Sequence, residues 1–159
     1  MNDSAGEGIT WHCKRWEELG REELYALLQL RAEVFVVEQT CPYLDADGQD
    51  GLCHHLLGWK DDTLVAYLRA FPPNTTAHPE AVIGRVITAM PVRGQGMGRV
   101  LMEEGHRRMA AQWGAQPIWL SAQAHLARFY GSLGYVICGP GYDEDGIPHV
   151  PMRREATGA

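Results

Sequence analysis

The segment Val92-Arg93-Gly94-Gln95-Gly96-Met97-Gly98-Arg99 separates two stretches of different periodicity. Before it, Ala81–Met90 is rich in Val and Ile and is followed by Pro91, which predicts a buried strand. After it, Gly96–Trp113 has apolar residues at helical spacing, which predicts a helix that Gly114 ends. The first amides of a helix have no internal hydrogen-bond partners, and glycines let a ligand approach the backbone closely. A strand, glycine loop and helix in this order therefore favour a pyrophosphate site.

Two common phosphate-binding motifs are excluded by the residues present. The dinucleotide fingerprint G-x-G-x-x-G needs a glycine where Arg99 stands, and an acidic residue where Ile118 stands. The P-loop needs a Gly-Lys pair, and the sequence contains none. The pattern that remains is Arg93-x-x-Gly96-x-Gly98, with Arg93 and Arg99 adding positive charge. For this loop alone, a glycine-rich turn without a ligand is the alternative.

Length and composition limit the class of protein. The chain has 159 residues, 45% hydrophobic and 21% charged, so we expect one domain over 1–159 with an ordered core over about 9–154. The net charge of −6 argues against a nucleic-acid partner. No apolar run approaches the ~20 residues that span a bilayer, so no membrane partner is expected. The start, MNDSAGEG, lacks the blocks of a signal peptide, which predicts a cytoplasmic protein.

The cysteines are predicted to be free thiols, because Cys13, Cys41, Cys53 and Cys138 form no C-x-x-C pair. Cys41, Cys53 and the adjacent His54 and His55 could suggest a metal site. Neighbouring residues of a strand point to opposite faces, so the two histidines are poorly placed to share one ion. We therefore predict no metal.

The other periodic segments predict an α/β (α+β) sheet with few helices. Strands are predicted at Ile9–Arg15, His55–Trp59, Leu64–Phe71, Pro117–Ala122, Tyr135–Cys138 and His149–Arg153. Helices are predicted at Glu22–Glu38, whose β-branched end is expected to bend, and at Leu126–Leu133. Hairpin turns are predicted at residues 60–63 and at Asp145-Gly146. Because Pro148 and Pro151 cannot donate backbone hydrogen bonds, His149–Arg153 is expected at a sheet edge.

The predicted loop over residues 41–54 contains Asp45, Asp47 and Asp50. A calcium loop of the EF-hand type starting at Asp45 would need glycine where Asp50 stands and an acid where Leu56 stands, so calcium is not predicted. The loop is then either a solvated acidic segment or a patch that attracts a cationic acceptor toward a cleft. The sequence leaves both readings open.

Four segments together resemble one known family. Arg93–Gly98 resembles the acetyl-CoA pyrophosphate loop, [Q/R]-x-x-G-x-[G/A], of the GNAT N-acetyltransferase superfamily. Phe129-Tyr130-x-x-x-Gly134-Tyr135 resembles the segment after the fifth strand of that family. Arg31–Gln39, followed by Cys41-Pro42-Tyr43, resembles the ElaA-like branch, and so does Tyr142–His149. The resemblance covers about residues 9–154.

The resemblance implies a fold and a cofactor site. The fold is a GNAT-like mixed, mostly antiparallel sheet with helices on both faces, in which the strands Ala81–Met90 and Pro117–Ala122 splay apart. Acetyl-CoA, as co-substrate, would place its pantetheine arm in that gap and its thioester beside the end of the fifth strand. The residues implied in its binding are Val86, Ile87, Thr88, Arg93, Gly94, Gln95, Gly96, Met97, Gly98, Arg99, Ser121 and Gln123.

The resemblance also implies direct transfer of an acetyl group to an amine. An amine like that of lysine has a pKa near 10.4, so a base has to remove its proton. Tyr130 aligns with the family tyrosine that serves as general acid to the leaving thiolate, although its ring could simply pack on Phe129. Glu38 is ranked first as the base, followed by His149 and then by His55.

The sequence leaves the acceptor open beyond the class of a small-molecule or peptide amine. It is compatible with a homodimer without fixing the oligomeric state. A route through an acyl-enzyme would need an activated cysteine, and nothing marks Cys41 or Cys138 as activated. The alternative function, from another class, is a non-catalytic acyl-CoA-binding regulatory domain. The presence of Tyr130 favours the enzyme.

Overall fold

A computed structural model describes residues 6–157 of the chain. Its strands are β1 (Ile9–Arg15), β2 (His54–Lys60), β3 (Thr63–Phe71), β4 (Ala81–Thr88), β5 (Ile118–Gln123), β6 (Tyr135–Ile137), β7 (Tyr142–Glu144) and β8 (Ile147–Arg154). Its α-helices are α1 (Arg21–Arg31), α2 (Met97–Trp113) and α3 (Ala127–Gly131). The expectation about a signal peptide concerns residues 1–8, of which 1–5 lie outside the described residues.

The strands form one eight-stranded sheet in the order β1-β2-β3-β4-β5-β8-β6, with β7 paired to β8. Every pair is antiparallel except β4 with β5. The mixed, mostly antiparallel sheet is therefore confirmed, and so are both hairpins. Asp145 and Gly146 have φ angles of 53° and 81°, as a tight turn with two left-handed residues requires.

The helices lie on both faces of the sheet. A Cβ atom on Gly105 of α2 would lie 3.0 Å from Leu68 Cδ2 of β3, so the glycine lets this helix approach the strand closely. Successive side chains of a strand point to opposite faces, and the neighbouring Arg69 therefore points away from α2. It shares a carboxylate with Arg31, the last residue of α1, which is fully buried on that other face.

The predicted helix Glu22–Glu38 is present, but it changes its winding. The α-helix ends at Arg31, and the chain continues as a π-helical segment over Ala32–Glu38. The sequence signal was the β-branched run Val34-Phe35-Val36-Val37, which fits a regular α-helix poorly. A π-helical stretch is rare and is frequently found at functional sites.

The prediction that His149–Arg153 forms an edge strand is wrong. Strand β8 pairs with β5 on one side and with β6 and β7 on the other. The carbonyl of Pro151 accepts a hydrogen bond from the Cys138 amide, so Pro151 faces the break between β6 and β7. By strand alternation Pro148 faces the other way, beyond Gln123, the last residue of β5. At neither proline would an N–H group face a paired residue of a neighbouring strand. The two prolines are therefore tolerated in a strand that lies inside the sheet.

Candidate active site

The two central strands part around a gap. Strands β4 and β5 pair only through Ala81 with Ile118 and Val82 with Trp119, and beyond these residues they diverge. Strand β4 also has one extra residue relative to β3, because Tyr67 pairs with Ile87 whereas Arg69 pairs with Gly84. This β-bulge bends the strand away from its neighbour. The splayed strands implied by the resemblance are thus present in the structure.

Strand alternation determines which backbone groups face the gap. The Ala89 amide donates to the Val65 carbonyl of β3 at 2.8 Å. The backbone groups of Ile87, two residues earlier, point the same way, whereas those of Val86 and Thr88 point into the gap. Of the three residues named for the pantetheine arm, Ile87 therefore has its backbone directed to β3, and its side chain is buried in the core.

The glycine loop has the backbone that a helix N-terminal anion site requires. Gly94 and Gly96 have φ angles of 77° and 81°, a region that side chains other than glycine rarely adopt. Gly96 caps α2, so the amides of Met97, Gly98 and Arg99 precede the first intrahelical hydrogen bond and have no partner within the helix. The side chain of Met97 is buried in the core, which leaves only its backbone for a ligand.

Both arginines of the loop contact protein groups. Arg93 donates from Nε to the Thr88 carbonyl at 2.9 Å, and its Nη1 lies 2.8 Å from Oε2 of Glu38. Arg99 donates to Ser132 Oγ at 2.6 Å and lies 3.5 Å from the Glu103 carboxylate. Gln95 is exposed. The loop thus presents free amides, while the charge of Arg93 is shared with Glu38.

A cavity of about 520 Å³ extends from the gap between β4 and β5. It is bounded by β4 and β5, the loop before β2 and the β7–β8 hairpin. Its lining includes Tyr43, Leu44, Asp47, Arg69, Arg85, Val86, Ser121, Gln123, Tyr130, Glu144 and His149. Ser121 Oγ hydrogen-bonds the Tyr142 hydroxyl, and Gln123 donates to Gln39 at 3.3 Å. Both residues expected near the thioester therefore line this cavity.

Tyr130 lies on α3 and lines the cavity with little exposed surface. Its ring packs edge-on against Phe129 and Tyr135, with centroids 5.1 and 5.9 Å away. Burial raises the pKa of Tyr130 to about 12, because the phenolate is poorly solvated there. The hydroxyl is therefore protonated throughout the neutral range. The ring of Tyr130 packs on Phe129 and the residue also lines the cavity. A packing role and a role at the site are therefore compatible.

His149 lies in β8 and is the candidate base that reaches the cavity. Its Nδ1 donates to the Ile147 carbonyl at 2.7 Å, because a carbonyl can only accept. This hydrogen bond fixes the neutral tautomer that leaves Nε2 with its lone pair. Glu144 Oε2 lies 3.3 Å from Nε2.

The other two candidate bases lie elsewhere. Glu38 is paired with Arg93 and is not among the residues that line the cavity, although its neighbours Phe35 and Gln39 are. His55 is fully buried, with its ring nitrogens bonded to the Tyr67 hydroxyl at 2.7 Å and the Asp50 carbonyl at 2.9 Å. Burial lowers the pKa of His55 by disfavouring the charged ring. Of the three candidate bases, His149 is thus the one that lines the cavity.

The acidic loop is held by ion pairs to arginines. Its three carboxylates alternate with three arginines in a closed ring, which runs Arg31–Asp45–Arg85–Asp47–Arg69–Asp50 and back to Arg31. The shortest nitrogen–oxygen distances along it are 2.8, 2.9, 3.4, 2.6, 2.9 and 2.6 Å in that order. The reading as a solvated acidic segment is therefore wrong for Asp45 and Asp50, which are buried, and the three arginines balance the charge of the three aspartates. We call this cluster the Arg–Asp ring.

The arginines of the ring were missed from the sequence, although a signal existed. Arg69 and Arg85 interrupt the apolar strands LVAYLRAF and AVIGRVIT, and Arg31 falls on the apolar face of its helix. Charged residues are almost never fully buried unless they are paired. The sequence has three such arginines in helices and strands, and three aspartates in one loop. This pattern could have predicted ion pairs between the two sets, although not which residues pair.

Two further expectations concern metals and membranes. Within residues 6–157 no group of three or more His, Cys, Asp or Glu side chains is arranged to hold a metal ion. In the same part of the chain, no helix is both long and apolar enough to cross a membrane.

The parted strands, the glycine loop at the start of α2 and the adjoining cavity define a protein of the acyl-CoA N-acyltransferase class. The sequence model of the family described as "Acetyltransferase (GNAT) domain" matches residues 28–156. The chain belongs to this family.

Relatives with high identity span nearly the whole chain. Protein ElaA of Escherichia coli K12 is 47% identical over 153 residues, which cover 95% of this chain and 99% of that protein. The crystal structure of an acyl-CoA N-acyltransferase from Pseudomonas aeruginosa matches with a TM-score of 0.88 and 49% identity, covering 92% of this chain and 99% of that one. The crystal structure of Escherichia coli ElaA matches with a TM-score of 0.85 and 46% identity, over 92% and 99% of the two chains. The ElaA-like resemblance is thereby confirmed.

Proposed function

We propose that the protein is an acetyl-CoA-dependent N-acetyltransferase that moves the acetyl group directly to a small-molecule or peptide amine. The observation that carries this proposal is one cavity that begins at the gap between β4 and β5 and is lined by both Tyr130 and His149. A thioester held in the gap would have a proton acceptor and a hydrogen-bond donor within the same enclosure.

The cofactor would be held mainly by backbone groups. The amides from Gly94 to Arg99 would bind the pyrophosphate, because the start of α2 carries the positive end of the helix dipole. The groups of Val86 and Thr88 that face the gap would pair with the pantetheine amides. Ser121 and Gln123 would lie beside the thioester. The side chains of Gln95 and Met97 carry no part of this binding.

His149 would act as the base. The amine would react in its neutral form, with its lone pair forming the new carbon–nitrogen bond while the carbon–sulfur bond breaks. Coenzyme A would leave as the thiolate, and Nε2 would take the proton that the nitrogen then loses. The Nδ1–H bond to Ile147 presents Nε2 as acceptor. Glu38 has no role as a base in this scheme, because Arg93 holds it outside the cavity lining.

Tyr130 would assist the departure of the thiolate. A phenol with a pKa of about 12 does not give its proton outright to an ordinary thiolate, whose conjugate acid has a pKa near 8.5. Such a phenol does donate a strong hydrogen bond to the developing negative charge on sulfur. Its contribution is greatest in the transition state, where that charge appears.

The second candidate is an acyl-CoA-binding domain without turnover. It would need the gap and the glycine loop but no polar residues around the thioester. Tyr130, Glu144 and His149 around one cavity favour the enzyme.

Thermal unfolding with acetyl-CoA tests the shared part of both functions. A ligand at 100 times its Kd stabilises the folded state by about 2.7 kcal/mol, which raises the Tm of a domain this size by about 5–10 °C. No rise in Tm contradicts both functions.

Turnover separates the two functions. The loss of acetyl-CoA thioester absorbance is followed with spermidine, lysine, 4-methylbenzylamine and a short peptide with a free amino terminus. This readout avoids the exposed thiol of Cys138, which would react with thiol reagents. A rise in Tm together with turnover of an amine supports the enzyme. A rise in Tm without turnover of any amine supports the binding domain.

A further inference from the structure

Arg85 occupies an unusual place in β4. Its φ angle is 53°, in the left-handed region that a residue with a side chain rarely adopts. It stands at the β-bulge between the pairs Tyr67–Ile87 and Arg69–Gly84, where β4 turns away from β5. Strained residues of this kind persist only where the surrounding contacts hold them, and they cluster at functional sites.

The side chain of Arg85 ties the strand to the loop over residues 41–50. Its Nε donates to Asp45 Oδ1 at 2.9 Å, and its Nη2 donates to the Asp45 carbonyl at 3.0 Å. Nη2 also reaches Asp47 Oδ2 at 3.4 Å, and the guanidinium lies 5.7 Å from the centre of the Tyr43 ring. One residue thus joins the bulge to three residues of the loop.

That loop forms one wall of the cavity. Tyr43, Leu44 and Asp47 all line it, and Leu44 is 80% exposed, so packing of its own side chain does not hold it in place. The gap and the glycine loop that would receive acetyl-CoA lie on other elements. The position of this wall therefore concerns the acceptor more than the cofactor.

The three arginines of the ring differ in where they face. Arg31 and Arg69 are almost fully buried, and their bonds to Asp50 close the inner side of the ring. The side chain of Arg85 is 21% exposed, and its 3.4 Å contact with Asp47 is the longest link. Arg85 therefore holds the side of the ring that opens on the cavity.

We propose that Arg85 is a positioning residue, which fixes the loop over residues 41–50 as the wall of the acceptor site. The part of this inference that assigns the wall to an amine acceptor rests on the proposed function. Arg31 and Arg69 also bind Asp45 and Asp47, so removal of the Arg85 guanidinium loosens the cavity side of the loop without detaching it. This weakens acceptor recognition, while the gap for acetyl-CoA is unchanged.

The test uses Arg85→Gly and Arg85→Lys. Glycine adopts the left-handed backbone without strain, so the first variant keeps the bulge and removes only the tether. Lysine keeps the backbone strain, but its single ammonium group can pair with one carboxylate, whereas the guanidinium of Arg85 contacts those of both Asp45 and Asp47. Asn74→Gly is the matched control, because Asn74 also has a positive φ, of 61°, and lies in the loop after β3.

Three measurements are made on each full-length variant. They are hydrogen exchange of the amides in residues 41–50, the Kd of acetyl-CoA by calorimetry, and the KM of the amine from the panel above with the highest turnover. For Arg85→Gly we expect loop exchange to accelerate by at least about tenfold and the amine KM to rise by about tenfold to a hundredfold, with the acetyl-CoA Kd within about twofold of wild type. Arg85→Lys is expected to lie between these values and wild type, and Asn74→Gly to match wild type.

Unchanged loop exchange in Arg85→Gly overturns the inference. The inference is also overturned if the amine KM and the acetyl-CoA Kd rise by the same factor. Such a result would mean that the substitution disturbs β4 as a whole, since β4 borders both sites. If Arg85→Gly does not fold, Arg85→Lys decides, and wild-type exchange and KM in that variant overturn the inference. Hydrogen exchange needs no turnover. A loosened loop in a protein that acetylates no amine therefore contradicts the proposed function and supports the tether.

Discussion

Glu38 and Arg93 form an ion pair that joins the end of the π-helical segment to the glycine loop, with 2.8 Å between Oε2 and Nη1. The same guanidinium donates to the Thr88 carbonyl, which faces the gap. A carboxylate at this distance reduces the attraction between Arg93 and a pyrophosphate. In this structure Glu38 therefore opposes the binding of an anion at the loop.

We expect Glu38→Gln to tighten acetyl-CoA binding by about 1.4- to fivefold, since a partly exposed ion pair is worth roughly 0.2–1 kcal/mol. Arg93→Gln is expected to weaken the binding. Calorimetry at two salt concentrations measures both effects. Glu22→Gln is the control, because it removes an equal charge from an exposed position on α1. Weaker binding by Glu38→Gln would mean that Glu38 orients Arg93 for the cofactor.

Tyr130→Phe removes one hydroxyl from the cavity and keeps the ring that packs on Phe129 and Tyr135. We expect kcat to fall by about 10²–10³-fold with little change in the Kd of acetyl-CoA, because the hydroxyl donates its hydrogen bond only when the thiolate departs. Steady-state kinetics and calorimetry separate the two constants. Tyr25→Phe, at a side chain that is 73% exposed on α1, is the control. Unchanged kcat in Tyr130→Phe would remove this tyrosine from the mechanism.

His149→Asn removes the base and keeps a small side chain that can donate to the Ile147 carbonyl. We expect kcat to fall by about 10²–10⁴-fold with little change in the Kd of acetyl-CoA, because the base acts only in the chemical step. Steady-state kinetics and calorimetry measure the two constants, with His12→Asn on β1 as control. An unchanged kcat in His149→Asn would assign the base to another group.

The glycine loop could be predicted from the sequence because it depends on local signals. Gly94 and Gly96 are needed for the left-handed backbone that they adopt, and the flanking periodicities placed them between a strand and a helix. The gap between β4 and β5 and the choice of Tyr130 came instead from the family resemblance, and Tyr130 does line the cavity.

The parts that failed depend on contacts between distant residues. The sequence could not show that Pro151 meets a break between two other strands, so β8 was expected at an edge. From the sequence alone Asp50 is expected to be solvated, because its partners Arg31 and Arg69 lie on two other elements, α1 and β3. The pairing of Glu38 with Arg93, which bears on the choice between Glu38 and His149 as the base, likewise appears only in the three-dimensional structure.

Asp50 makes the Arg–Asp ring sensitive to acid. Burial alone raises the pKa of Asp50, but the hydrogen bonds and charges of Arg31 and Arg69 outweigh burial and hold that pKa below its ordinary value. A lowered pKa in the folded state stabilises the protein above the ordinary value, which is near 3.9, and the stabilisation is lost as the pH falls through the lowered pKa. The free energy of unfolding is therefore expected to decrease below about pH 4.

Asp50→Asn tests this contribution, because it leaves Arg31 and Arg69 without their shared charge in a buried place. We expect it to lower the free energy of unfolding by about 3–5 kcal/mol at pH 7, as for other broken buried ion pairs. At pH 3 the difference from wild type should be smaller, since the unfolded wild-type chain then carries a proton on this carboxyl group, which folding has to release. Urea unfolding at both pH values measures the difference, with Asp62→Asn at the exposed β2–β3 turn as control. An equal loss at both pH values would mean that packing at this position, and not the charge of Asp50, stabilises the ring.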